Sequence, residues 1–169
     1  MTAPKVVIDP RGRALAAMAA NPDRAWQAVA WLGFLLAVVG LGDFVLAFIP
    51  SAFHTPEWEF ATVAAVFAGL PLPTLGLAAL LAAAFARGRR RTVLTLGTLM
   101  VVLGALVILL FVIFLTDVPI AMRSGAQGDI LLGLKKAIAK TSLLGFVFGV
   151  AYLVAGIRAL RAALSSGTV

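Results

Sequence analysis

The chain has no cysteine, one histidine (His54), one tyrosine (Tyr152) and seven acidic residues among 169. Without cysteine there can be no disulfide framework, thiol redox site, thiolate zinc site or iron–sulfur cluster. One histidine leaves no pair within the chain for a bis-histidine haem or a multi-histidine metal site. Charged residues make up 12% of the sequence, against about 25% in soluble domains. Nucleophile elbows, zinc-protease helices, P-loops and dinucleotide fingerprints are missing too. Gly40-Leu41-Gly42 lies within an apolar run with no strand before it, so it is no nucleotide loop. With so little polar chemistry, an enzyme is the least favoured reading.

What the sequence has in excess is apolar surface: 62% of residues are hydrophobic, which also excludes a disordered chain. Four apolar stretches stand between clusters of charge: Trp26 to Ile49, Phe60 to Ala86, Thr92 to Thr116, and Thr141 to Ile157 continuing to Leu164. A hydrocarbon core about 30 Å thick takes about 20 helical residues, and lipid offers no water to unpaired backbone groups. The alternating ten-residue segments of a membrane β-barrel are absent. The expected fold is therefore an all-α integral membrane protein, a four-transmembrane-helix bundle over residues 26–164. A basic segment, 1–25, precedes it and a short tail, 165–169, follows.

Local signals refine this picture. Asn21-Pro22-Asp23 and Thr55-Pro56-Glu57 each place a capping side chain, a first-turn proline and an acid at a helix start. Asp129 is positioned to cap a helix leading into the fourth span. Pro71 and Pro73 remove two backbone donors, so the second helix is expected to kink there. The apolar run after residue 25 is too long for a cleavable signal peptide, and residues 11–20 are expected to form a short surface helix.

Charge sets the expected orientation. With both termini on one side, that side carries ten basic residues against Asp9 and Asp23, or +8. The basic residues are Lys5, Arg11, Arg13, Arg24, Arg87, Arg89, Arg90, Arg91, Arg158 and Arg161. The other side carries Arg123, Lys135, Lys136 and Lys140 against Asp43, Glu57, Glu59, Asp117 and Asp129, or −1. Excess Lys and Arg marks the cytoplasmic side. Richness in Ala, Gly and Arg suggests a GC-rich bacterial genome, hence a bacterial cytoplasmic (inner) membrane. No nucleic-acid motif accompanies the basic residues, so Arg87, Arg89, Arg90, Arg91, Arg158 and Arg161 are expected at anionic lipid headgroups, not on nucleic acid.

Asp43 is the most informative residue. It falls six residues before the end of the first stretch, roughly 10 Å below its outer boundary, where a carboxylate needs a partner or a cavity. A functional reading makes it a proton or cation site; a plainer one pairs it with a base, a hydroxyl or interfacial water. His54, Glu57, Glu59 and Asp117 lie at span ends and could gather with it to hold an ion or relay protons. Glu57 and Glu59 have a structural reason as first-turn acids, and the spacing matches no known metal motif.

Each span also carries glycines seven apart: Gly33 and Gly40, Gly69 and Gly76, Gly97 and Gly104, Gly149 and Gly156, with Gly145 added in the fourth. Seven residues is close to two turns, so each pair is expected to form a close-packing face. Trp26, Trp31 and Trp58 fit an aromatic belt. Residues 129–140 are amphipathic, fitting either a surface or partner-docking segment or a helical lead-in to the fourth span. No cofactor is required, although bound lipid or pigment is compatible with the Phe-rich spans.

Two functional expectations follow. The first is a non-catalytic accessory subunit of a larger membrane complex, respiratory or photosynthetic, stabilising assembly by helix packing and lipid contact. The second is a small oligomeric proton- or cation-coupled transporter or channel subunit using Asp43 and the proline break. A four-span scaffold recruiting cytoplasmic proteins ranks below both, because its inner loops are short.

Overall fold

A computed structural model describes residues 22–49, 55–123 and 128–165. All five elements there are helical: α1 (Pro22–Leu46), α2 (Pro56–Gly69), α3 (Pro71–Ala86), α4 (Arg90–Met122) and α5 (Gly128–Ser165). They form four apolar helical rods long enough to cross a membrane, with α2 and α3 making up the second. The segment 11–20, Asn21 and His54 lie outside the described residues, as do the side chains of Pro56 and Glu57.

The helix boundaries correct two expectations and decide between two readings of a third. First, α1 stops at Leu46 instead of reaching Ile49. Phe48 and Ile49 donate instead to the carbonyls three residues back, at 3.1 and 3.0 Å. Pro50 follows, and a residue before proline is pushed out of the α region. Second, of the two readings of the amphipathic stretch the helical lead-in is the one found: α5 is one helix of 38 residues, and Asp129 lies inside its first turn instead of capping it. Third, α4 continues beyond Thr116 and through Pro119 to Met122. Proline is tolerated so near the end because the bond it removes is one of the last in the helix.

The second rod breaks where expected. Pro71 and Pro73 lack the N–H groups that Phe67 and Gly69 would otherwise receive four residues on. At the junction Leu70 donates to the Phe67 carbonyl over a long 3.4 Å. Thr74 steadies the far side: its amide and hydroxyl both reach the Leu70 carbonyl, at 3.1 and 2.7 Å. Its hydroxyl also lies 2.9 Å from that of Tyr152 in α5, the partner this buried tyrosine needs. When Thr74 gives its single proton to Leu70, Tyr152 must donate to Thr74. At its start, α2 has Thr55 in the capping position with an extended backbone but without a side-chain capping bond.

Glycine controls the packing, at two main crossings. A Cβ placed on Gly76 would meet the Gly33 carbonyl at 2.7 Å and Ala37 Cα at 2.9 Å, while Gly40 lies directly on the Pro73 ring. Thus α1 and α3 approach backbone to backbone. In the same way a Cβ on Gly156 would sit 2.8 Å from the Gly97 carbonyl, and one on Gly104 2.9 Å from the Leu153 amide nitrogen, joining α4 to α5. Gly149 packs on Ile108 and Gly145 on the Phe67 ring, which brings α2 onto α5. Gly69 departs from the pattern: nothing approaches its missing side chain within 4 Å. The break one residue later turns it away from the face that Gly76 presents. The core between these crossings is filled by Phe67, Phe114, Leu77, Val107 and Tyr152.

Candidate functional site

The four rods alternate in direction, so one end of the bundle gathers arginine. There Arg90 Nε donates to the Ala163 carbonyl of α5 at 2.8 Å, capping the last turn of that helix. Arg87 and Arg89 stand beside Gln27 of α1, while Arg158 and Arg161 are exposed on α5. Phe60 and Phe114 stack at the opposite end with centroids 5.1 Å apart. The separation of charge inferred from topology is therefore a separation between the two ends of the described bundle.

The acids gathered as one candidate site divide into two places. Asp117 and Glu59 are brought together near the end opposite the arginines. Asp117 lies on the face of α4 that packs inward; it is only 8% exposed, and its Oδ2 has no hydrogen-bond partner among the described residues. The Glu59 carboxylate of α2 is within electrostatic range of it. Asp117 ends the buried stripe of α4, and Thr141 begins that of α5. The register of these antiparallel helices, with Gly104 on Leu153, sets the two residues at one level. Thr62, the remaining buried polar residue among those described, lies one turn deeper than Glu59 on α2. The hydroxyls of Thr62 and Thr141 were not recognised as part of this region from sequence; their signal was a polar residue on an otherwise apolar stripe.

Asp43 is not part of that group. Its side chain is exposed at the rim of a cleft lined by Gly40, Phe44, Ala65, Val66, Gly69, Leu70 and Pro73. The free space is about 20 Å³, enough for one water molecule. The α1–α3 register, with Gly33 on Gly76 and Gly40 on Pro73, places Asp43 level with the break at Leu70. From Gly69, α2 rises a further 13 residues to Pro56, or about 20 Å. Asp43 is thus deeper within the bundle than its place in the first stretch suggested, because α1 ends far short of the level where α2 begins.

The level of this cleft can be compared with the charges on α5. Phe67 meets Gly145 and Thr74 meets Tyr152, so the break faces residues 145–152 of α5. The middle of that stretch is nearly equidistant from Lys140 and Arg158, which are 18 residues apart. Their separation is about 27 Å, close to one hydrocarbon thickness. A carboxylate and a broken helix therefore meet at mid-height. Gly69, at the rim, has a carbonyl that Pro73 cannot satisfy. Among the described residues no three His, Cys, Asp or Glu side chains could hold a metal together. No family model, curated protein or solved structure matches this chain.

Proposed function

We propose that this chain is a non-catalytic accessory subunit of a larger integral-membrane complex in a bacterial cytoplasmic membrane, with both termini inside. An energy-transducing complex, respiratory or photosynthetic, is the setting that fits it best. The observation carrying this reading is Asp43, exposed on the outside of the bundle at mid-height. Around it α1 presents only apolar side chains, including Leu35, Val38, Val39, Val45 and Leu46. A carboxylate at the centre of a membrane helix costs about 2.5–3.5 kcal/mol. Leucine in its place would instead favour insertion by several tenths of a kcal/mol. A polar group from another subunit, set against the Asp43 cleft, removes that penalty and supplies the specificity that an apolar helix lacks.

A second reading rests on the same cleft. An acid beside a helix break is the arrangement by which transporters hold a proton or small cation. In that case Asp43 serves a proton- or cation-coupled pathway completed by other copies of the chain.

Gentle extraction followed by native mass spectrometry, on Asp43→Leu and Asp43→Asn beside the wild type, tests both. The subunit reading expects co-purifying subunits that are lost in Asp43→Leu and largely kept in Asp43→Asn, which retains hydrogen bonding. Loss of ion-dependent transport in Asp43→Asn with assembly intact favours the second reading. A chain that is monomeric in all three forms, and more stable as Asp43→Leu, overturns both.

A further inference from the structure

At the arginine end a groove of about 430 Å³ lies between α1 and the turn joining α3 to α4, lined by Gln27, Ala30, Trp31, Phe34, Arg87 and Arg89. A smaller cleft of about 160 Å³ adjoins it and shares Ala30, Arg87 and Arg89, extending past Leu80 to Thr92 at the start of α4. We infer that this groove binds one phosphate-bearing anionic lipid, its headgroup on the two guanidinium groups and its glycerol and upper acyl chains on Trp31 and Phe34. The inference rests on the reading of the arginine end as the face at anionic headgroups, and gives that face a defined site.

Three features point to this ligand. The first is placement of charge. Gly88, at φ 61°, makes the tight turn between α3 and α4 and sets an arginine on each side of it. Both arginines line the same groove. Guanidinium groups engage a phosphate through paired N–H bonds, and two of them together with the Gln27 amide supply donors for several oxygens.

The second is the shortage of negative charge to answer them. Arg90 and Arg91 follow immediately, and the first turn of α4 holds no acid. Asp23 is the one acid described at this end of the bundle, and it does not line the groove. Arg89 caps the start of α4, so an anion held there also faces the positive end of that helix dipole.

The third is the graded polarity of the walls. Trp31 and Phe34 meet edge to face, with centroids 6.1 Å apart, about one and two turns further along α1 than Gln27. They form an apolar wall leading from the arginines toward the middle of the bundle. A free phosphate would use only the polar half, whereas a lipid uses both. Basic pockets between membrane helices on the cytoplasmic side are where anionic headgroups bind.

The test uses the full chain, delipidated in detergent, with phosphatidylglycerol or phosphatidylcholine added and retention read by native mass spectrometry. One phosphatidylglycerol per chain should be retained in preference to phosphatidylcholine. Arg87→Ala/Arg89→Ala should lower its retention at least tenfold. Arg158→Ala/Arg161→Ala, which removes equal charge elsewhere at the same end, should lower it less than threefold. Arg87→Lys/Arg89→Lys keeps charge and fold and should fall between, because the forked donors are lost. Equal loss in the two alanine pairs would overturn the site in favour of diffuse charge, and so would loss in neither. Displacement by inorganic phosphate at equal headgroup concentration would show that the phosphoryl group alone is recognised, overturning the lipid. A chain that fails to associate with vesicles of either lipid overturns the membrane reading itself; association without headgroup preference overturns only the groove.

Discussion

Replacing Gly76 with alanine tests the packing on which the rest of the structure depends. The added methyl would meet the Gly33 carbonyl at 2.7 Å, Ala37 Cα at 2.9 Å and the Ala37 amide nitrogen more closely still. All three are backbone atoms, so no side-chain rotation relieves the overlap. Moving the carbonyl contact out to an ordinary 3.4 Å requires α1 and α3 to separate by roughly 0.7 Å. A gap of that order forfeits about a quarter to a half of each dispersion contact, and it does so along the line from Gly33 to Pro73. Overpacking of this kind costs about 1–3 kcal/mol. The better helix propensity of alanine returns up to about 1 kcal/mol, so the net loss falls to as little as zero and the overpacking shows as a gap of about 1–3 kcal/mol below an unobstructed glycine-to-alanine change. Gly42→Ala supplies the control: it adds the same methyl in α1 where nothing lies within 4 Å. It should be neutral or stabilising by up to about 1 kcal/mol. Gly69→Ala, also in open space, should behave like Gly42→Ala and not like Gly76→Ala. Unfolding midpoints of the detergent-solubilised proteins on titration with SDS would rank the three. If Gly76→Ala matched Gly42→Ala within experimental error, the close approach of α1 and α3 would be refuted.

Two further expectations concern buried polar groups. Tyr152→Phe removes the 2.9 Å bond to Thr74 across the helix break and should cost about 0.5–1.5 kcal/mol in the same SDS titration. Thr74→Val should cost no less, because Thr74 also holds the Leu70 carbonyl; equal stability of both variants and the wild type would mean the network does not form. Asp117→Asn replaces the buried carboxyl, whose Oδ2 lacks a partner among the described residues, with a neutral amide and removes its repulsion by Glu59. Its stability should match or exceed that of the wild type by up to about 1 kcal/mol, and a loss of that size would show that the acid itself is required.

The helical class and the positions of four rods were legible because apolar runs of about 20 residues are long enough to see without alignment, and a helix is the form in which such a run satisfies its own backbone groups. The break at Leu70 was legible too, since a proline without an N–H acts locally wherever it lies. The site was only half visible. Asp43 stood out as a carboxylate in an apolar run, but its depth depends on how α1 slides along α3, which no local pattern encodes. Glu59 and Asp117 were grouped with it because all lie near span ends. The structure joins those two near one end of the bundle and leaves Asp43 level with the break at Leu70. Gly69 shared the seven-residue spacing of the other pairs, yet periodicity assumes an unbroken helix, and Pro71 and Pro73 interrupt it.

By itself, then, the sequence determined what each segment could be: helical rods, a proline break, and an arginine-rich end set apart from an acidic one. These follow from interactions within a few residues along the chain. Tertiary structure decided which glycines touch a neighbouring backbone, how deep Asp43 lies, that Tyr152 bridges the break, and that Arg87 and Arg89 share a groove with Gln27. Each of these depends on contacts between distant segments, where a shift of one helical turn exchanges one set of neighbours for another.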